Sequence, residues 1–171
     1  MQAQLLDVNE LNQKIQMFFK REKLRTEGTE GLNTVIEDLD EFDNIIAQIG
    51  MRVSIEPQSE GKLLYLDKIK QIYKQRAQKK EFPAISMQYY CQMAVATRDY
   101  DTLDDLVKYG FRTLFYKLGW SDKVYLYDLS IKFQFPNVKE YTELMKLCFL
   151  HADYESDIFY GLVHESTGIV K

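Results

Sequence analysis

Cys148 and His151 stand three residues apart in a stretch of helical spacing, where a thiol and an imidazole share one face and can serve as nucleophile and general base. Neighbours at i and i+3 are commonplace on any helix, and a histidine near a helix C-terminus has a simpler role, in which its ring meets the last carbonyls and the negative end of the dipole. The pair is therefore read as structural. His164 is the other histidine, and neither forms a His-x-x-x-His pair or has a Cys-x-x-Cys companion, so zinc ligation lacks support. Asp38, Asp40, Glu41 and Asp43 superficially suggest a calcium loop. The run lacks the central glycine and the distal glutamate, and Leu39, Phe42, Ile45 and Ile46 make it a solvated helix face instead. Gly61-Lys62 follows no glycine-rich loop that would cradle a phosphate. These residue types imply no catalytic, metal or cofactor site, and a noncatalytic function is expected.

The elements that carry these residues are predicted to be helices. Apolar residues are 46% of the 171, while Gly and Pro are scarce, which excludes disordered, collagen-like and turn-rich β classes. One structural domain is expected, organised as an acidic N-terminal hairpin over 1–56 and a helical region over 57–171. Val8, Leu11, Ile15, Phe18 and Phe19 share a face of a first helix capped by Asp7 or Asn9 and ended near Gly28 and Gly31. A second helix runs from about Leu32 to Ile49 with Gly50 as its stop. Met51 to Ile55 reads as a short extended piece, and the residues from Pro57 to Gly61 as a loop. Further helices are predicted from Leu63 to Lys79, from Ser86 to Thr97, from Asp101 or Thr102 to Leu118, from Ser121 to Phe133, from Asn137 to Leu150, and from Tyr154 to His164. The class is all-α, with about eight helices in consecutive antiparallel hairpins. Cys91 and Cys148 sit in helical apolar patterns and are expected to be reduced core residues, as in an intracellular protein. No apolar run approaches the ~20 residues of a spanning helix. The N-terminus lacks the pattern of a secretory signal, and Asp7, Glu10 and Glu22 argue against an organellar presequence.

One stretch repeats. Asp153-Tyr154-Glu155-Ser156 breaks the helical period after Tyr141, Leu144 and Cys148, and Asp99-Tyr100-Asp101-Thr102 does the same after Ala94, Ala96 and Thr97. Val138, Tyr141, Leu144, Met145, Cys148, Asp153-Tyr154-Glu155, Val163 and Gly168-Ile169 resemble a pentatricopeptide unit, over about a fifth of the chain. Ser156 stands where that family has alanine, one residue is inserted before Gly168, and tetratricopeptide-like hairpins fit nearly as well. The resemblance implies a short helical solenoid and an organelle, the mitochondrion; the cytoplasm stays open, as does an irregular helical bundle. The repeat predicts equivalent buried positions for Tyr100 and Tyr154.

Charge and aromatic content indicate what such a protein contacts. From Thr26 to Glu60 nine acids face Arg52 alone, whereas from Gly61 to Phe82 seven bases face Asp67 and Glu81. The basic strip, with Lys70, Lys74, Arg76, Lys79 and Lys80, meets either its own acidic neighbour or an acidic partner. With a formal net charge of −4, a dedicated RNA groove is not favoured. Between Tyr109 and Phe135 there are more aromatic residues than two short helices hide, and Tyr116, Trp120 and Tyr127 are candidates to stay exposed as partner contacts. The expected function is a protein-interaction module, an accessory or scaffolding subunit of a larger assembly. The alternatives are a pentatricopeptide-type RNA binder and a small enzyme on a helical fold.

Overall fold

The computed structural model describes residues 4–25 and 39–149. Among them the chain is all-α, with helices α1 (Val8–Arg25), α2 (Leu39–Ile55), α3 (Leu66–Lys79), α4 (Met87–Ala96), α5 (Tyr100–Arg112), α6 (Trp120–Lys132) and α7 (Val138–Phe149). Short 3-10 turns lie at Pro57–Lys62, Ala84–Ser86 and Phe115–Lys117, and no strand occurs among the described residues. No helix there is long and apolar enough to cross a membrane. The chain forms two compact units, which divide between Thr102 and Leu103 within α5. The end of the first helix at Gly28 and Gly31, residues 32–38 of the second, His151, Tyr154 and the last predicted helix lie outside the described residues.

In the first unit, Asp7 starts α1: its carboxylate accepts the Glu10 amide at 2.8 Å, which holds its acid strength above the ordinary carboxylate value. Leu11, Ile15 and Phe18 are fully buried from that helix, as their spacing requires. The second helix departs from expectation, because Gly50 does not stop it and Met51 to Ile55 continue it as helix. The reason is packing. A Cβ at Gly50 would lie 3.1 Å from the Gln92 Cβ and 3.2 and 3.3 Å from that residue's carbonyl carbon and oxygen, so the absent side chain lets α4 approach the α2 backbone. The extra turn is also used: Arg52 donates to the Leu6 carbonyl at 2.6 Å, and the Gln48 side chain accepts from the Leu6 amide and donates to the Gln4 carbonyl. The segment before α1 is thereby tied to α2.

The main packing of this unit joins α2 to α4, two helices on, with α1 also against α2. At its centre Asp43 is buried, although its acidic surroundings predict a solvated face. Tyr90 donates to its Oδ1 at 2.9 Å, Ser86 to its Oδ2 at 2.7 Å, and Arg76 Nη2 lies 3.6 Å from Oδ1. Arg76 Nε also donates to the Tyr90 hydroxyl at 2.6 Å, and its guanidinium lies over the Phe42 and Tyr90 rings. Burial, and then the Asp43 charge, pushes the Tyr90 phenol well above its ordinary pKa, so it remains a donor. Phe82 stacks on Tyr90 at 4.4 Å and Tyr73 at 6.0 Å. Three segments are thus held by one carboxylate.

In the second unit, Leu103, Leu106, Val107, Phe111, Leu114, Phe115 and Leu118 are buried as their spacing predicts, but α5 ends at Arg112 and the last three lie in and around a 3-10 turn. The helix also begins at Tyr100, so Asp101 and Thr102 are within its first turn rather than capping it. Tyr100 itself is 46% exposed, against the buried position expected of it. Phe111 stacks on Tyr141 with centroids 4.2 Å apart, and Arg112 grips Glu140 through two hydrogen bonds of 2.8 and 2.9 Å. Burial, followed by the nearby Asp104, pushes the Tyr141 phenol up to about 12.

Two stability experiments check this account. Gly50→Ala should lower the denaturant midpoint by the equivalent of about 1 kcal/mol, although alanine is the better helix former by a similar amount. A stabilised variant would mean that the contact with Gln92 yields. Arg76→Leu should cost about 3 kcal/mol by leaving Asp43 without its cation, while Asp43→Leu/Arg76→Leu should recover most of that loss. If the double variant loses the sum of both single losses, the network is not the coupled unit described.

Candidate functional site

The eight residues expected to contact partners separate into three groups. Arg76 is 7% exposed and belongs to the Asp43 network, so it is a core residue and not a contact. Its place was legible, because it follows Ile69, Ile72 and Tyr73 on the buried stripe of α3. Tyr127 is likewise fully buried instead of exposed. Its hydroxyl lies 2.6 Å from Thr142 Oγ1, whose own hydrogen goes to the Val138 carbonyl at 2.8 Å; Tyr127 is therefore the donor in the link from α6 to α7.

The lysines of α3 stay at the surface, where several meet acids of this chain. Lys70 donates to Glu60 at 2.7 Å, and Lys74 lies 4.0 Å from Asp99. Glu60 receives Arg98 as well, at 3.6 Å. Lys79 is exposed, and Lys80 is half-buried with positive φ at the end of α3. Two lysines of the strip, Lys70 and Lys74, are thus in local ion pairs, each of small worth at such exposure. It does not form a continuous cationic track.

Tyr116 and Trp120 come together at a groove of about 430 Å³ in the second unit. Phe115 and Tyr116 reach it from the 3-10 turn that follows α5, and Trp120 and Lys123 from the first turn of α6. Leu144, Leu147 and Cys148 close the other side from α7. Gly119 precedes α6 in extended conformation, and Trp120 is the first residue of that helix. Tyr116 is 92% exposed and Leu147 61%, so large apolar side chains stand open at this groove. The Lys123 ammonium sits 4.7 Å from the centroid of the Phe115 ring. Among the described residues it has no carboxylate partner.

Leu147 is the contact that the sequence reading missed. It falls within the Tyr141, Leu144, Cys148 pattern and by type belongs to a core, so only the position of its neighbours reveals its exposure. Cys148, expected in the core, is half-buried in the groove, while Cys91 is fully buried, and the two form no disulfide. No group of three or more His, Cys, Asp or Glu side chains that could hold a metal ion converges among the described residues. Among the described residues, the lining of the groove is apolar apart from Lys123 and the Cys148 thiol. No family model matches the chain, and neither a curated protein nor a solved structure matches it.

The two tyrosines separate core from contact. Tyr127→Phe should cost about 1 kcal/mol through the lost bond to Thr142. Tyr116→Ala should leave the thermal midpoint within about 0.5 kcal/mol of the parent, because almost nothing of its ring is buried. Equal losses for both would mean that Tyr116 packs inside the protein.

Proposed function

We propose that this protein is a noncatalytic interaction module, an accessory or scaffolding subunit of a larger assembly, and that the groove beside Tyr116 and Trp120 is its partner surface. The observation that carries the reading is the pairing of an apolar groove with two open large apolar side chains, Tyr116 and Leu147, next to a tryptophan. Interfaces concentrate their binding energy in such aromatic clusters, and an apolar surface that stays in water without a use is a liability. Asp43 and Arg76 are committed to the fold and Lys70 and Lys74 to local ion pairs. The net negative charge of the chain weighs against the RNA-binding alternative, whose affinity comes from phosphate neutralisation. The pentatricopeptide resemblance supports an organellar, mitochondrial setting for the assembly.

The test is recovery of partners from the native organism with a tagged chain. Tyr116→Ala combined with Leu147→Glu should lower the recovery of co-purifying proteins at least about fivefold, with the helical circular dichroism signal and thermal midpoint unchanged. Undiminished recovery would remove this groove as the partner surface. Recovery of RNA, lost on reversing Lys70, Lys74 and Lys79 to glutamate, would favour the RNA-binding reading instead.

A further inference from the structure

We infer that the occupant of the groove is an acidic amphipathic helix of a partner protein, an inference that rests on the interaction reading above and names the partner's chemistry. The size of the groove suits two or three large apolar side chains, as a helix presents at i, i+3, i+4 and i+7. The described residues contain no strand, so they offer no sheet edge to which an extended peptide could add. Charge then selects among helices. Lys123 is the one ionised side chain among the described residues that line the groove, and none of those residues is a carboxylate. A neutral or basic helix seated there would strip water from that ammonium without replacing it or would add a like charge, whereas a carboxylate at the edge of an apolar face supplies the missing partner. A second copy using the same groove about a two-fold axis would set Lys123 near Lys123. A nucleic acid would need a series of cations where this groove has one.

The groove contains its own reporters. Trp120 is the only tryptophan in the chain, so its emission reads this surface alone. Of the two cysteines, Cys91 is buried and Cys148 lines the groove, so alkylation in the native state reports on Cys148. The probes are two synthetic helical peptides. One carries leucine at i, i+3, i+4 and i+7 with glutamate on the flanks of that face, and its twin carries lysine in place of every glutamate. With the full chain at low salt, the glutamate peptide should shift Trp120 emission saturably, slow Cys148 alkylation, and bind at least about tenfold more tightly than its twin. Lys123→Glu should reverse the preference while leaving the thermal midpoint unchanged.

Equal affinity for the two peptides, absence of saturation, or a preference that survives Lys123→Glu would overturn the proposal. Protection of Cys148 in the free chain at every dilution would also overturn it, since the groove would then be filled by another segment of the same chain. Protection that grows with protein concentration would overturn it in favour of a second copy. If the peptides fail while Tyr116→Ala/Leu147→Glu still abolishes partner recovery, the interaction reading stands and only the acidic helix falls. If both fail, both fall.

Discussion

A single buried carboxylate organises the first unit. Asp43 lies 3% exposed on α2, and in that position its charge is tolerable only if donors and a cation come to it. They come from three directions: Ser86 from the turn before α4, Tyr90 from α4 and Arg76 from α3. Each donor carries its own segment, so satisfying one side chain also fixes the arrangement of the helices. Gly50, two turns further along the same face of α2, lets this happen by allowing the α4 backbone within side-chain-free distance. An apolar residue of similar size at position 43 could bury as much surface. It would not select which helix lies opposite, whereas a network in which every partner is needed permits few alternatives.

The helices were legible in the sequence, and so were several of their ends: those expected at Lys79, Thr97 and Phe133 lie within one residue of the ends of α3, α4 and α6, whereas those expected at Gly50 and Leu118 do not hold. Apolar spacing placed the buried faces of α1, α3 and α5 correctly, because the 3.6-residue period is imposed by burial itself. The ends sought at Pro83 and Pro136 held, while Gly50, taken as a stop, misled because it serves close packing. The actual stops fall on Lys80, Arg98 and Gln134, which take the left-handed conformation with φ of 59°, 59° and 53°. Each is followed by an amide that bonds back to the carbonyl five residues earlier: Glu81 to Arg76, Asp99 to Ala94 and Phe135 to Ser130. A glycine would adopt that conformation more easily, so these ends are held by the packing around them and carry no mark in the residue type. The same reasoning explains Met51 to Ile55, whose β-branched residues suggest an extended piece but whose Val53 is buried as part of α2.

The candidate site was legible in part, for a related reason. Residue type suggested that Asp43, Arg76 and Tyr127 face water or partners, but position decided otherwise. Arg76 continues a stripe of Ile69, Ile72 and Tyr73, and Asp43 stands one and two turns before Ala47 and Gly50 on the face toward α4. Period outweighs polarity when a partner for the polar group exists elsewhere in the chain, and that partner is separated by 33 residues for Asp43 and Arg76 and by 15 for Tyr127 and Thr142. Tyr116 and Trp120 were named from aromatic density alone, and of the two Tyr116 is exposed and Trp120 half-buried. The groove between them and α7 was not legible, since it depends on where the 3-10 turn at Phe115–Lys117 leaves the chain.

The distribution of satisfied polar groups is why the proposed recognition is placed at Lys123 and not at the more conspicuous charges. Asp43, Arg76 and Tyr90 are already desolvated, and the partners they hold are internal, so a ligand reaching them would have to break what holds the helices together. Lys70 and Lys74 remain in water, each with an acid of the same chain nearby, and an incoming carboxylate would compete with one that is tethered. Lys123 differs on both counts. Its ammonium sits over the Phe115 ring, beside apolar surface, and no carboxylate among the described residues competes for it. When a partner excludes water there, the attraction between Lys123 and an acid strengthens as the local dielectric falls. The penalty for leaving it unmatched rises for the same reason, so this one ammonium contributes discrimination as well as affinity, while the surrounding apolar side chains contribute affinity to any helix of suitable shape.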